Sequence, residues 1–124
     1  MRFALLLGLV ACGGHEARDK PVMVKEVDQL KDSDRDTLIH VRGRVADIVP
    51  RQHVRFTLEH GGRRLTVVDK GSAPELLRDG VDAEVEGRWV HAADVRAELD
   101  KAGFSDVHDP DVFLSRGIVV TIPH

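Results

Sequence analysis

Hydrophobic and polar residues alternate along most of the stretch from Val41 to Trp89, which is the pattern of strands that bury one face. Glycine-containing turns help to divide this stretch into four segments, VRGRVADIV, HVRFTLEH, RRLTVVD and DAEVEGRW. Gly61 and Gly62 separate the middle two, and paired glycines accept the positive φ angles of a tight hairpin turn. The pattern therefore predicts four strands. The residues predicted to face inward are Ile39, Val41, Gly43, Val45, Val49, Val54, Phe56, Leu58, Leu65, Val67, Ala83, Val85, Gly87 and Trp89.

A short helix is predicted between the third and fourth strands. Residues Ser72 to Glu75 have the spacing of a capping box, which satisfies backbone N–H groups at the start of a helix. Leu76 and Leu77 follow and would supply its buried contact, and Gly80 stands where such a helix would end.

Another helix and a last strand are predicted after Trp89. The segment from Ala92 to Ala102 is amphipathic, with Leu99 as an anchor toward the core. Residues Gly117 to Ile122 are rich in β-branched side chains and predict a strand that closes the barrel or covers an edge. The intervening segment, Asp106 to Arg116, is expected to be a loop or a short helix.

In this order, the elements predict a mainly β fold. The specific expectation is a small five-stranded barrel of the oligonucleotide/oligosaccharide-binding (OB) type, with a short helix between strands 3 and 4 and a helix after strand 4.

The segment before the barrel is expected to lie against it. Val24, Val27 and Leu30 recur every three residues, which predicts one or two helical turns. The charged run from Lys31 to Asp36 follows and is predicted to be a solvated turn, because its acids lack the spacing and the glycine of a calcium-binding loop.

Composition narrows the classes of function. The 124 residues suffice for one domain, and a formal charge of −3 gives no basic field for non-specific nucleic-acid binding. Aromatic residues make up only 4% of the chain, which argues against a platform for stacked bases. The sequence has no glycine-rich phosphate loop and no zinc-type cysteine pair, so an enzyme is the least favoured class.

The N-terminus resembles a bacterial lipoprotein signal. Residues 1–11 combine a positive start with a short apolar run, and they end in Leu9-Val10-Ala11 before Cys12, the only cysteine. We expect lipidation of Cys12, a flexible tether over residues 12–20 and one OB-type domain over residues 21–124. The domain would then lie in the periplasm, and Gly13 favours the outer membrane. An ordinary secretory signal with an incidental cysteine is the alternative interpretation.

Four stretches carry a resemblance to a known family: Val54 to Leu58, Leu65 to Val68, Gly71 to Gly80 and Val85 to Arg88. Their order is similar to that of the CcmE family, periplasmic haem chaperones of cytochrome c maturation. The resemblance covers about half of the chain. It implies an OB-type barrel tethered to a membrane, with haem as cargo and with haem-delivery and apocytochrome assembly proteins as partners.

The sequence departs from that family where the family attaches haem. The segment from Ala93 to Asp100 fits the attachment segment but puts Leu99 in the place of the histidine, and leucine has no nucleophilic nitrogen. Gly103 and Phe104 stand near the place of the family's iron-binding tyrosine.

His108 is the candidate for a displaced haem ligand, since Val107-His108-Asp109-Pro110 contains a histidine-aspartate pair. Such a pair is also an ordinary turn element before proline. Two hypotheses follow. One is a haem-handling chaperone that binds haem without the usual histidine. The other is a lipid-anchored OB-type module for a ligand or a protein that has lost haem attachment.

Overall fold

The computed structural model describes residues 23–50 and 53–121. The predicted signal peptide, Cys12 and the tether to residue 20 lie outside the described residues. The elements are β1 (Val24–Glu26), β2 (Ile39–Pro50), β3 (Val54–His60), β4 (Arg63–Asp69), β5 (Asp82–His91), α1 (Arg96–Lys101) and β6 (Asp111–Thr121). Short 3₁₀ helices cover Val27–Gln29, Asp32–Asp34 and Ala92–Val95. No helix in the described ranges has the length and apolarity that crossing a bilayer requires.

Within the described residues, five strands close into a barrel in the order β2, β3, β4, β6, β5 and back to β2. Neighbours are antiparallel except β4 and β6, which run parallel. The first half of β2 pairs with β5, from Ile39 opposite Gly87 to Arg44 opposite Asp82, and its second half pairs with β3. The short β1 adds to the β2 edge in parallel. The predicted mainly β barrel is therefore confirmed.

The barrel core consists of the inward faces of these strands, as the alternation predicted. The barrel-strand residues of this core are Ile39, Val41, Val45, Val54, Phe56, Leu58, Leu65, Val67, Ala83, Val85, Trp89 and Phe113. The prediction that Val49 faces inward is wrong, because β2 contains a bulge between Ala46 and Val49. Asp47 adopts a φ of 53° there, and Ile48 packs against the core instead.

The helix predicted between β4 and β5 does not form. Residues 70–81 make turns, with a hydrogen bond of 3.0 Å from the Leu77 N–H to the Pro74 carbonyl. The segment bonds to β2 instead, since the Gly80 N–H donates to the Val45 carbonyl and the Val45 N–H donates to the Val81 carbonyl, both at 2.8 Å. Pairing with the barrel thus takes precedence over the local helical signal.

The helix predicted after the fourth barrel strand is confirmed. It begins as the 3₁₀ turn Ala92–Val95, continues as α1, and ends at Gly103 with a φ of 89°. The loop predicted for Asp106 to Arg116 is wrong from Asp111 onward, because β6 starts there and pairs with β5. β6 has one extra residue, Arg116, where its register shifts opposite Glu86 and Gly87 of β5. The extra residue interrupts the alternation of hydrophobic and polar positions, so this part of the strand was not visible in the sequence pattern.

The segment before the barrel is partly a strand rather than only helical turns. Val27 and Leu30 are buried as predicted, but Val24 lies in β1 and is exposed. The prediction of a solvated charged turn is wrong for Asp34, which is buried at 4% exposure. Lys25 Nζ contacts its carboxylate at 2.7 Å and the Lys31 N–H donates to it at 3.0 Å. Burial alone would raise the pKa of Asp34, but these donors hold it below its ordinary value.

His60 links the segment before the barrel, which contains Glu26 and Asp28, to the β3–β4 hairpin. Its Nδ1 lies 2.8 Å from Asp28 Oδ1 and its Nε2 lies 3.1 Å from Glu26 Oε2. The hydrogen bond to Asp28, together with the charge of Glu26, raises the pKa of His60 above its ordinary value.

Because the folded-state pKa of His60 is raised, protonation of His60 stabilises the fold. This contribution is fully present below the unfolded pKa of about 6.5 and is lost as the pH rises through the higher folded pKa. We expect the free energy of unfolding of the wild type to fall relative to that of His60→Gln as the pH rises from about 6.5 upward. Urea titrations across that range measure the difference. Parallel profiles for the wild type and His60→Gln would contradict the assignment.

Gly87 lies where the register shifts between β5 and β6. A Cβ there would stand 2.8 Å from the Leu114 carbonyl carbon and 2.9 Å from Phe113 Cε2, and it would lie closer still to the Leu114 oxygen. At Gly117, on the facing strand, the nearest atom to such a Cβ is Glu86 Oε1 at 3.9 Å. Of these two glycines, Gly87 alone is required by close backbone approach.

We expect Gly87→Ala to lower the free energy of unfolding by about 2 kcal/mol, the usual cost of overpacking. Gly117→Ala should change it by less than about 0.5 kcal/mol, because its methyl group meets only ordinary contacts. Chemical denaturation of both variants measures the change. Equal losses of stability in the two variants would show that the close backbone approach at Gly87 does not determine the cost.

Candidate functional site

The structure separates the residues that the sequence singled out as site candidates. Leu99 lies in α1 at 2% exposure and is part of a second core outside the barrel. His108 is exposed on the segment between α1 and β6, and Cys12 lies outside the described residues. The interpretation of Leu99 as a core anchor is therefore confirmed, and its place in α1 is structural.

The second core covers the outer face of one side of the barrel. Its residues come from outward positions of the strands and from the connection between β5 and β6: Val68, Val90, Ala92, Leu99, Phe104, Val107 and Val112. Val68 lies on the side of β4 that faces away from the barrel interior, and it contacts this cluster. The α1 connection is thus part of the packed structure and shapes the surface beside it.

OB-type barrels usually bind ligands on the face of their second and third strands, here β3 and β4, with the adjoining loops. In this chain, acidic residues of its own loops contact that face. Arg55 pairs with Asp106 at 2.9 Å, Arg64 pairs with Asp47, and the Thr66 hydroxyl donates to Asp109. The two arginines are consequently neutralised within the chain, and the loop between α1 and β6 occupies part of the usual ligand face.

A groove of about 650 Å³ runs between α1 and the outer faces of β4, β5 and β6, and is called the α1 groove. Its lining residues are Leu38, Val68, Asp69, Lys70, Gly71, Gly87, Arg88, Glu98, Leu99, Ala102, Phe104, Leu114, Ser115 and Arg116. The apolar members form its wall, and Leu38 adds an exposed apolar side chain. Sequence reasoning missed this groove, because its parts come from five separate segments.

The charged residues that line the α1 groove are of both signs, with Asp69 and Glu98 acidic and Lys70, Arg88 and Arg116 basic. Arg116 Nε donates to Glu86 at 2.9 Å. Asp69 accepts hydrogen bonds of 2.7 Å from the Ser115 hydroxyl and from the Gly71 N–H. Lys70 and Arg88 make no ion pair with the described residues, so these two cations are available to an anionic group.

A smaller cleft of about 190 Å³ adjoins the α1 groove and is called the His53 cleft. Ala102 and Phe104 line both cavities, and Val49 and Arg55 complete much of the cleft wall. His53 Nδ1 lies 2.6 Å from the Lys70 carbonyl oxygen, and the imidazole centroid lies 6.1 Å from that of Phe104. His53 had no assigned role in the sequence, where nothing connected it with Lys70.

A larger cavity of about 810 Å³ lies near the β3–β4 hairpin, but its charges are matched in register. Arg42 of β2 stands opposite Glu26 of β1 and Glu84 of β5. Arg44 stands opposite Glu59 and Asp82. Cross-strand pairs of opposite charge stabilise a sheet, so these side chains have a structural explanation. In the described part of the chain, no group of three or more histidine, cysteine or acidic residues is placed to hold a metal ion.

Solved structures that resemble this chain share the barrel. A replication protein A heterotrimer bound to ssDNA matches with 14% identity and a TM-score of 0.50, over 69% of this chain and 58% of that chain. A putative aspartyl-tRNA synthetase from Leishmania major Friedlin matches with 12% identity and a TM-score of 0.57, over 82% and 21% respectively. The aspartyl-tRNA synthetase from Entamoeba histolytica gives 13% identity and a TM-score of 0.55, over 84% and 22%.

These likenesses define the class of protein, which is an OB-fold barrel. At such low identities they show the fold alone, and the chain spans less than two thirds of each of these proteins. No family model matches the chain. No curated protein matches it either. Membership of the CcmE family therefore stays a prediction.

Leu99 packs α1 into the second core, so shortening its side chain should lower the free energy of unfolding. We expect Leu99→Ala to lower the free energy of unfolding by about 3 kcal/mol, through lost burial and the cavity that remains. Leu76→Ala is the matched control, because Leu76 is 46% exposed, and it should cost less than about 0.5 kcal/mol. Urea unfolding measures both, and equal costs would contradict the structural role of Leu99.

Proposed function

We propose that this chain is a non-enzymatic haem-handling protein of the bacterial envelope that holds haem non-covalently in the α1 groove. The observation that carries the proposal is that the groove combines apolar lining residues with two cations, Lys70 and Arg88, that make no ion pair with the described residues. Haem has a broad apolar face and two carboxylate groups. Leu38, Ala102 and Leu114, which line the groove and are not fully buried, fit the first, and Lys70 and Arg88 fit the second.

The resemblance to the CcmE family supports the same function. The stretches that carry it form β3, β4, the turns that follow β4, and β5, which make up most of the barrel. The departure at Leu99 indicates non-covalent binding, since the side chain there is buried and has no nucleophilic nitrogen. His108 lines neither the α1 groove nor the His53 cleft, so its proposed role as a haem ligand has no support from their geometry.

The proposal also includes where the protein lies in the cell and which partners it has. Lipidation of Cys12 would hold the barrel at a membrane surface on the periplasmic side, with the outer membrane favoured by Gly13. Haem-delivery and apocytochrome assembly proteins are the proposed partners. We do not propose nucleic acid as a ligand, because Arg55 and Arg64 on the usual face are already paired with aspartates.

Titration of the purified full-length chain with haem tests the proposal. We expect a saturable change in the Soret absorbance at micromolar or lower haem, on the order of a 10⁻⁶ M dissociation constant. Lys70→Gln combined with Arg88→Gln should weaken binding about 3- to 10-fold, because each exposed ion pair contributes up to about 1 kcal/mol.

The matched control combines Lys101→Gln with Arg78→Gln, which removes the same charge outside the groove and should leave the affinity unchanged. An equal loss in both double variants would show a non-specific effect of charge. No spectral change in the wild type would overturn the haem proposal and favour the OB-type binding module that has lost haem, which the burial of Leu99 also fits.

A further inference from the structure

The second half of β6 has a neighbouring strand on only one of its two edges within the described residues. β5 pairs with β6 along the whole strand. β4 pairs with it only from Phe113 to Ser115 and ends at Asp69, opposite Ser115. Apart from the pairing with β5, no backbone–backbone hydrogen bond joins residues 116–121 to another described segment. Residues 116–121 thus have an open edge and are called the β6 edge.

The register shows which backbone groups of β6 face this open edge. Directly opposite residues of an antiparallel pair turn their N–H and C=O groups either toward each other or both away. Val45 of β2 exchanges hydrogen bonds of 2.8 Å with the segment that leads into β5, so Val41, which has the same place in the alternation of β2, also faces β5. Val85 stands opposite Val41 and therefore faces β2. Its neighbour Glu84 consequently faces β6.

Two residues of the β6 edge direct their backbone groups away from β5. Val119 stands opposite Glu84, so its N–H and C=O groups face β5. Ile118 and Val120, on either side of it, face the open edge instead. Neither forms a backbone–backbone hydrogen bond there with the described residues. The β6 edge thus offers donors and acceptors to which a further strand can bond.

The side chains of the β6 edge do not protect it from such pairing. Natural proteins guard exposed edges with charged residues, with proline or with very short strands. No charged residue and no proline lies from Gly117 to Thr121, and Val119 is 66% exposed. β1, which lies at the end of the sheet, is guarded, because it has three residues, of which Lys25 and Glu26 are charged. Of these two strands, β6 is therefore the one with an unguarded edge.

We propose that the β6 edge pairs with the same edge of a second copy of this chain, as antiparallel strands across a two-fold axis at Val119. In this register Ile118 of each copy stands opposite Val120 of the other, and their outward N–H and C=O groups bond across the interface. The two Val119 side chains meet at the axis and cover each other. The inference goes beyond the haem function and does not depend on it.

Self-pairing fits the β6 edge because this edge is complementary to itself in hydrogen bonding and in charge. The residues that face outward lie symmetrically about Val119, so each donor meets an acceptor of the second copy. Like charges directly opposite each other would oppose pairing, but the residues from Gly117 to Thr121 carry none. The charge that precedes them, Arg116, is already bonded to Glu86 of its own chain at 2.9 Å.

Sedimentation velocity of the purified full-length chain over a range of concentrations tests the pairing. We expect the mass to rise from that of one chain to that of two as the concentration increases. Val119→Lys should weaken the association at least about 10-fold, because like charges would then stand opposite each other at the axis. Val24→Lys is the matched control, since it adds the same charge at an exposed valine of β1 and should leave the association unchanged. Circular dichroism checks that the variants are folded.

Cross-linking tests the register, in a Cys12→Ser background that leaves only the introduced thiol. Val119→Cys should form a disulfide between two chains under mild oxidation, because the Cα atoms of a non-hydrogen-bonded antiparallel pair lie about 4.5 Å apart. Thr121→Cys should fail to form it, since the two copies of residue 121 would stand about 14 Å apart along the paired strands. Gel electrophoresis without reductant measures the cross-linked fraction.

The outcomes decide between self-pairing and its alternatives. A wild type that stays a single chain at every concentration would overturn the proposal and leave the edge to a strand of a different protein. Association that Val119→Lys retains in full would place the interface elsewhere. Equal cross-linking through residues 119 and 121 would contradict the two-fold register. None of these results bears on haem binding, which the Soret titration tests separately.

Discussion

The fold depends on β2 pairing with different strands along its length. Its first half bonds to β5 on one edge and β1 on the other, and its second half bonds to β3. The strand must coil sharply to do this, and Gly43 lies near the transition, where a Cβ would make a tight contact of 3.0 Å with the Glu59 carbonyl oxygen. Closure of the barrel removes sheet edges that would otherwise be exposed, and the described elements outside the barrel are attached to this closed surface.

The period-two pattern predicted the barrel because the strands bury one face, and a shift of one residue would turn that face to solvent. Val54, Phe56 and Leu58 are buried as the alternation required. The errors occur where a bulge changes the parity, as at Val49, or where a distant strand competes for backbone bonds, as around Gly80. Asp34 belongs to the same kind of error, because only the fold brings Lys25 to its carboxylate. A single sequence gives no direct sign of such long-range pairings.

The candidate site was less accessible to sequence reasoning than the fold. Leu99 could be interpreted as a core residue from its helical period, since that information is local. The α1 groove and the His53 cleft assemble from segments far apart in the chain, and Lys70 and His53 meet only because β3 and β4 are adjacent. The acids that cover the usual OB ligand face come from the connection before β6 and from the bulge of β2, and these placements follow from tertiary packing.

The shortness of α1 has a consequence for when the groove exists. A helix of six residues does not persist in water by itself, because helix nucleation is costly and few backbone bonds offset it. The wall of the α1 groove is therefore held in place by Leu99 and Phe104 resting on a completed barrel. An unfolded or half-folded chain has no such wall. A folding chain consequently acquires this groove only as β6 docks between β4 and β5, so the groove is a property of the completed fold.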